Sequence, residues 1–219
     1  MENKKYKLTG ESIEVKGKTL YRIEALKDFC KIKKGDKGGF IESENNLAHE
    51  GDAWVSDNAH VYGDACVFDN ARVYNNAFVS GYAQVYGNAF VYGDSWLYDS
   101  ARVYGNARVS DNASVSDNAR VYGNARVYGD TCVCGRTNVC GDAEISTDAD
   151  YIVFKNWWSS GRYFTWTRSN NMWSVGCFYG TGEELVKKAY KDSSKSGRQY
   201  ERIVKYVEET LKEEENGEH

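Results

Sequence analysis

The feature that most constrains this chain is an unbroken six-residue period of aliphatic residues. Sixteen of them follow one another at intervals of six, from Val55 to Ile145. A second column, two residues ahead of the first, holds alanine from Ala53 to Ala149 except at Ser95, Thr131 and Thr137. A short period kept this long is typical of a solenoid, because each unit can bury its apolar side only against its neighbours.

The repeating unit predicts a short strand followed by a tight corner. It reads V-Y-G-N-A-R at residues 103–108 and again at 121–126. Side chains alternate across a strand, so the valine points inward while the residues before and after it point outward. Glycine, asparagine and aspartate tolerate the left-handed backbone that a corner requires, and the alanine fits where the corner leaves little space.

Residues 53–150 resemble the hexapeptide-repeat family, in which an aliphatic residue is followed four positions later by a small one. The resemblance implies a left-handed parallel β-helix of triangular cross-section, with three hexads in each coil. Residues 18 apart then stack directly, and the hexads make about five coils. The expected fold is mainly β: a single-stranded left-handed parallel β-helix with an N-terminal β cap and a C-terminal α+β module.

Three segments follow from these patterns. Residues 1–48 predict an N-terminal β cap, with strands at 6–15 and 19–26 around a turn at 16–18, and an irregular first coil at Ile41 and Leu47. Residues 49–150 form the β-helix. Residues 151–219 predict a ββαα module, with strands at 162–168 and 172–179, a helix after a Thr181–Glu184 capping box, and a second helix from about Arg198.

The whole chain also resembles uncharacterised β-solenoid proteins that are frequent in bacteriophage and prophage genomes. The residues that carry this resemblance are the opening TLYRIEALKDF and KKGDKGGFIESENNL, the VYGNAR units, and the closing VGCFYGTGEEL. The resemblance implies a phage-related setting and no particular substrate.

The distribution of charge argues against direct binding to nucleic acid. Residues 49–150 contain six arginines, no lysine and fourteen acidic residues, a net charge of −8. Non-specific nucleic-acid binding needs a strong positive field instead. No segment resembles a signal peptide or could cross a bilayer, and the six cysteines suit a reducing compartment. We therefore expect a cytoplasmic protein, in the host cytoplasm if it is phage-encoded.

An enzyme is the first alternative. Hexapeptide-repeat acyltransferases use a histidine base beside a loop that interrupts the coil. This chain has His49, His60 and His219, and no insertion breaks the period from Val55 to Ile145. We therefore predict no catalytic residue, with an acyltransferase-like enzyme using His49 or His60 as the alternative. Cys132 and Cys134 should share one face, but two thiolates alone do not make a zinc site, so we predict no metal and no cofactor.

Columns of tyrosine and arginine are the candidate partner site. Both residue types combine a large contact area with a polar tip, and both are enriched where proteins bind one another. One face carries Tyr86, Arg102, Tyr104, Arg120 and Tyr122; a second carries Arg72, Arg108 and Arg126. The sequence therefore predicts a non-catalytic protein that engages a host macromolecule, such as a component of a defence system. Self-association into a homodimer or homotrimer, or a purely structural scaffold, stays open.

Overall fold

The computed structural model describes residues 4–217, and the chain divides into two compact units at the boundary between Asp150 and Tyr151. No helix within residues 4–217 combines the length and the apolar character that crossing a bilayer requires. The two units are described separately below.

The first unit opens with an antiparallel hairpin, followed by a strand that joins the hairpin to the parallel strands of the coil. The hairpin joins β1 (Tyr6–Val15) and β2 (Lys18–Ala25), close to the predicted strands, through a turn at Lys16 and Gly17 with positive φ. The next strand, β3 (Lys37–Ile41), pairs antiparallel with β2 on one side. On its other side β3 pairs in parallel with His60 and Val61 of the first regular turn.

The hexads form sixteen two-residue strands, one in each hexad as the period predicts. They are β4 (Trp54–Val55), β5 (His60–Val61), β6 (Cys66–Val67), β7 (Arg72–Val73), β8 (Phe78–Val79), β9 (Gln84–Val85), β10 (Phe90–Val91), β11 (Trp96–Leu97), β12 (Arg102–Val103), β13 (Arg108–Val109), β14 (Ser114–Val115), β15 (Arg120–Val121), β16 (Arg126–Val127), β17 (Cys132–Val133), β18 (Asn138–Val139) and β19 (Glu144–Ile145).

These strands make three parallel sheets that wind as a solenoid. Residues 18 apart pair in register, as Arg102 does with Arg120. The first sheet runs β1-β2-β3-β5-β8-β11-β14-β17, the second β6-β9-β12-β15-β18, and the third β4-β7-β10-β13-β16-β19. Ile41 in β3 and a bridge from Leu47 to Val67 supply the irregular first turn. The total is about six turns, one more than the hexads alone predict.

The core of the solenoid is the pair of columns that the period identified. Every aliphatic residue from Val55 to Ile145 and every alanine from Ala53 to Ala143 is buried. The hydroxyl groups of Thr131 and Thr137, which replace alanine, donate to the carbonyls of Tyr128 and Cys134. Space is tight at the corners: a Cβ on Gly105 would lie 3.1 Å from the Gly123 nitrogen, and the same position in other hexads is aspartate or asparagine with positive φ, as at Asp99 and Asp111.

The hairpin also covers part of the first sheet. Leu20 of β2 is buried in a cluster with Phe40 and Tyr62, against which Ile13 and Val15 of β1 pack. At the tip of the hairpin, the Lys16 ammonium lies 5.1 Å from the centre of the Trp96 ring. The outward-facing residues of this sheet nearest the hairpin, such as Tyr62, are therefore covered.

The second unit contains four strands and two helices, so the predicted ββαα order is wrong. The strands are β20 (Tyr151–Lys155), β21 (Tyr163–Thr167), β22 (Met172–Val175) and β23 (Phe178–Gly180), joined in that order as an antiparallel sheet. The predicted strand at 172–179 is split in two, because Gly176 has a φ of 60° and turns the chain back. The first strand, β20, has no counterpart in the prediction.

The helices of the second unit close over this sheet. The first, α1 (Gly182–Asp192), begins at the predicted capping box of Thr181 and Glu184, and the second, α2 (Ser194–Glu215), starts four residues earlier than predicted. Their apolar faces complete a core with the sheet. Its buried members are Trp158, Phe164, Trp166, Trp173, Leu185, Ala189, Tyr200, Val204 and Val207.

Candidate functional site

The second sheet carries a continuous stack of aromatic rings, here called the tyrosine ladder, made of Phe68, Tyr86, Tyr104 and Tyr122. Neighbouring ring centres lie 4.8, 4.8 and 5.0 Å apart along the ladder. The planes of successive rings differ by no more than 4°. The rings are so regular because each occupies the same hexad position, one strand spacing above the last.

The hydroxyl group of Tyr104 stays protonated. Burial raises the pKa of Tyr104, and the neighbouring Tyr86 adds to the effect, while Arg120 and Arg102 oppose it. A protonated phenol both donates and accepts hydrogen bonds. The ladder therefore offers a rigid apolar surface edged with phenol hydroxyl groups.

Beside the ladder, two arginines lie directly opposite each other. Arg102 and Arg120 are exposed and paired in register on β12 and β15. Neither forms an ion pair with a carboxylate anywhere in residues 4–217. Like charges opposite each other on adjacent strands are destabilising. The second sheet thus brings together five of the eight predicted residues around an uncompensated positive charge.

The third sheet holds the other three predicted residues in a different environment. Arg72, Phe90, Arg108, Arg126 and Glu144 follow one another in register. The Arg108 guanidinium lies 5.5 Å from the centre of the Phe90 ring. The Arg126 guanidinium is 3.2 Å from the Glu144 carboxylate. The eight predicted residues therefore form two surfaces. On the third sheet, Arg108 and Arg126 each have a partner within the protein.

The tyrosine column of the third sheet is interrupted. Tyr74 and Tyr92 stack at 4.9 Å with their planes 4° apart. The next position in the column is Ser110, and the one after that is Tyr128. A cavity of about 290 Å³ opens here, lined by Tyr92, Arg108, Ser110, Asp111, Arg126, Tyr128 and Glu144.

The first sheet has an aromatic column of its own, part of which the hairpin covers. The ring of His60 lies between Phe40, at 5.8 Å, and Phe78, at 4.6 Å, and Phe78 stacks on Trp96 at 4.2 Å. Burial lowers the pKa of His60, and its Nδ1 atom is buried without a hydrogen-bond partner among the described residues. From the sequence, His60 was considered only as a candidate base, and the cover over it was not predicted. The alternation of polar and apolar residues in β1 and β2 is the sequence feature that could have indicated a hairpin packed against the coil.

His49, the other histidine of the enzyme alternative, is built into the start of the solenoid. Its ring stacks on Tyr6 at 4.4 Å. Its Nδ1 atom accepts the backbone N–H of Lys5 at 3.3 Å, and its Nε2 atom lies 3.4 Å from the Glu44 carboxylate. Both ring nitrogens are therefore engaged. His219 lies outside the described residues.

Lys5 closes the same end of the coil. Its side chain is 1% exposed, and its ammonium donates to the carbonyl of Ala53 at 2.8 Å and to those of Glu50 and Gly51 at 3.4 Å. Burial lowers its pKa to about 8. A cavity of about 880 Å³ lies beside it, and charged side chains at its edge, such as Lys4 and Glu44, pair with each other. These contacts satisfy carbonyls that the end of a solenoid leaves open.

The cysteines remain free thiols. Cys132 and Cys134 lie on one face, as predicted, and burial together with the neighbouring Cys132 raises the pKa of Cys134. A raised pKa disfavours the thiolate that metal binding and nucleophilic attack require. Within residues 4–217, no three histidine, cysteine, aspartate or glutamate side chains come close enough to hold a metal ion.

In the second unit, a cavity of about 410 Å³ lies between the helices and the loop after β20. At its edge the amide of the buried Asn156 donates to the Tyr200 hydroxyl at 3.0 Å and accepts from the Ser159 backbone at 3.0 Å. This amide therefore fixes the loop, whereas Trp157 next to it is 76% exposed.

Comparison with known families agrees with the architecture. Three consecutive segments, 83–99, 101–117 and 119–135, match the YdcK β-solenoid repeat. Their starting points are 18 residues apart, so each match covers one turn of the coil. A search of curated proteins finds no significant match. The chain is a β-solenoid repeat protein, and this family description carries no activity with it.

Proposed function

We propose that this protein is a non-catalytic β-solenoid that binds another protein through the tyrosine ladder and the arginine pair of its second sheet. The observation that carries the proposal is the register pairing of Arg102 with Arg120, which lack an acidic partner within residues 4–217. The arrangement costs stability in the free protein, because the two charges repel each other. An anionic group on a partner would remove that cost.

The surface around the pair suits protein recognition. The rings of Tyr86, Tyr104 and Tyr122 are held parallel by their neighbours, so little conformational freedom is lost when a partner packs against them. Tyrosine and arginine are also the residues on which binding energy most often concentrates. A partner with an acidic rim around an apolar centre fits this surface. The −8 charge of residues 49–150 disfavours a nucleic acid there.

The contacts of the histidines favour binding over catalysis. A general base needs a nitrogen that can reach the proton it removes. Both nitrogens of His49 are engaged within the protein, and His60 lies between aromatic rings at a half-buried position. The acyltransferase-like alternative therefore gains no support from either residue.

The setting we propose rests on the resemblance of the whole chain to phage and prophage β-solenoid proteins. In that setting the protein acts in the cytoplasm of the host cell and engages a host protein, such as a component of a defence system. A rigid face that occupies the working surface of such a component would inhibit it without chemistry.

The test uses the full chain as bait in a host lysate, followed by binding measurements with the purified partner. Reversing both charges, Arg102→Glu with Arg120→Glu, should weaken binding at least tenfold, because the partner's acidic groups would then meet like charge. The matched control is Arg108→Glu with Arg126→Glu, the same change at the same hexad position on the third sheet. Unchanged binding by the first variant would contradict the proposal.

A separate variant tests the enzyme alternative. His49→Gln with His60→Gln removes both candidate bases and keeps side chains that can form hydrogen bonds. We expect partner binding and the biological effect of this variant to match those of the unaltered protein. Loss of the biological effect with binding intact would favour the enzyme instead.

A further inference from the structure

The gap in the tyrosine column of the third sheet has the dimensions of one aromatic ring. Tyr92 and Tyr128 are two turns apart, so their side chains are separated by about two strand spacings, roughly 9.6 Å. A ring placed midway would lie about 4.8 Å from each, the spacing found between rings of the tyrosine ladder. Ser110 forms the back of this slot, which belongs to a cavity of about 290 Å³.

The groups at the edge of the slot favour a phenol over a plain benzene ring. The Ser110 hydroxyl, the Arg108 guanidinium and the Asp111 carboxylate all line it and can hydrogen-bond to a phenol hydroxyl. Arg126 is held by Glu144, whereas Arg108 has no acidic partner within residues 4–217. Asp111, the other charged residue of the lining, accepts the Gly129 backbone N–H at 3.3 Å, so Arg108 is the group left open to an acidic neighbour of an inserted tyrosine ring.

The same chain presents a tyrosine of this kind. In the sixteen hexads, the corner position that follows the aliphatic residue by three is asparagine, aspartate, serine or arginine, with Tyr82 as the exception. Tyr82 is 66% exposed, and its ring has no stacking partner among the described residues. Nothing in the coil requires a large aromatic side chain at a corner.

Negative charge surrounds Tyr82. Asp64 occupies the same corner one turn before it. Asp99 belongs to the next turn, and its carbonyl accepts the Tyr82 backbone N–H at 2.6 Å. Both carboxyl side chains are exposed. This corner thus offers a protruding ring with two acids, which is the complement of a ring-sized slot beside an unpaired arginine.

We propose that Tyr82 of one copy of this chain inserts between Tyr92 and Tyr128 of a second copy. The inserted ring completes the interrupted stack, while Asp64 and Asp99 approach Arg108. Because Tyr82 and Ser110 lie in different parts of the first unit, one such contact leaves a second ring and a second slot unused. Two contacts can close a twofold dimer, and repeated single contacts extend a chain of copies.

The experiment is sedimentation of the full chain over a range of concentrations, compared with two single variants. Tyr82→Asn removes the ring and restores the commonest corner residue, and Ser110→Tyr fills the slot from within. We expect each variant to sediment close to the 24.8 kDa of one chain and to weaken self-association at least tenfold. An equimolar mixture should associate again, because one variant keeps the ring and the other keeps the slot.

The control variant is Ser56→Tyr, which adds a ring at the start of the same column, below Tyr74 and away from the slot. It should self-associate like the unaltered protein. Three results would overturn the inference: a monomeric unaltered protein, variants that keep their mass, or a mixture that stays monomeric. A monomeric protein whose partner capture is lost in Ser110→Tyr would show that another protein fills the slot.

The inference does not depend on the proposed function, and the two can fail separately. Arg102→Glu with Arg120→Glu alters the second sheet and should leave self-association intact. Ser110→Tyr alters the third sheet and should leave partner capture through the tyrosine ladder intact.

Discussion

The second and third sheets are built from the same hexads and differ in how completely their outward columns are filled. On the second sheet, four rings stack without a break while Arg102 and Arg120 lack acidic partners within residues 4–217. On the third, the stack stops at Ser110 while Arg126 is paired with Glu144. The inward columns are equally regular in both sheets. The core therefore fixes the coil, and the outward positions are free to diverge.

The corners show the same contrast. Where the second sheet meets the third, side-chain amides form a continuous ladder from Asn70 through Asn88, Asn106 and Asn124 to Asp142, with distances of 2.8 to 3.2 Å. Where the first sheet meets the second, the equivalent positions are Asp64, Tyr82, Ser100, Asn118 and Arg136. The corner with repeated amides is therefore tied together along the coil by its side chains, whereas the corner with mixed residues presents a different side chain in each turn.

The largest effect should come from breaking the complete stack. Tyr104→Ala removes a ring that has neighbours on both sides, and each stacked pair contributes roughly 0.5–1.5 kcal/mol beyond burial, so we expect a loss of about 2–3 kcal/mol. Tyr128→Ala, beside the gap in the third sheet, should cost about 1 kcal/mol. Chemical denaturation of both variants measures the difference. Equal losses would show that stacking along the ladder adds nothing.

The amide ladder gives the next largest difference. Asn106→Ala removes one hydrogen bond that the residue donates and one that it accepts, so we expect a loss of about 1–2 kcal/mol. Asn118→Ala, at the corner with no such ladder, should change the free energy of unfolding by less than about 0.5 kcal/mol. A matching loss in the two variants would contradict a structural role for the ladder.

The first sheet, part of which the hairpin covers, should differ from the other two sheets in how its stability depends on pH. Burial holds the pKa of His60 below its ordinary value of about 6.5, so the unfolded chain binds the proton more readily than the folded one. The contribution of His60 to stability is then complete above about pH 6.5 and declines as the pH falls below it. His60→Phe keeps a ring between Phe40 and Phe78 and should remove this decline.

Thermal unfolding between pH 7 and pH 5 tests that expectation. The matched control is His49→Phe, since the ring of His49 stacks on Tyr6 at the start of the coil and has polar partners at both nitrogens. An acid-induced loss of the same size in His60→Phe and in the unaltered protein would show that the buried imidazole is not its source.

The smallest effects concern the arginines. Arg126→Gln removes an ion pair whose members are about half exposed, so it should cost less than about 1 kcal/mol, and less still in high salt. Arg120→Gln relieves a repulsion and should be neutral or stabilising by a few tenths of a kcal/mol. The two variants therefore differ in sign, which unfolding at low and high salt can detect. Two losses of equal size would show that Arg120 has an acidic partner after all.

Much of the first unit could be predicted because its contacts are periodic. Once hexads wind three to a turn, residues 18 apart must be neighbours, so the pairing of Arg102 with Arg120 and the stacking of Tyr86 on Tyr104 followed directly. The second unit has no period, and its prediction was less accurate. Gly176 splits a segment whose composition suits one strand, and β20 pairs with β21 through a contact that no period predicts.

The sequence by itself determined the coil, its core and the columns on its faces, because those contacts repeat at a fixed separation along the chain. Only the tertiary structure decided which columns are covered, as at His60 beneath the hairpin, and how the end of the coil is closed by Lys5. It also revealed that the gap at Ser110 is an open cavity. Such contacts join segments that are far apart and share no period, so they depend on how whole elements pack.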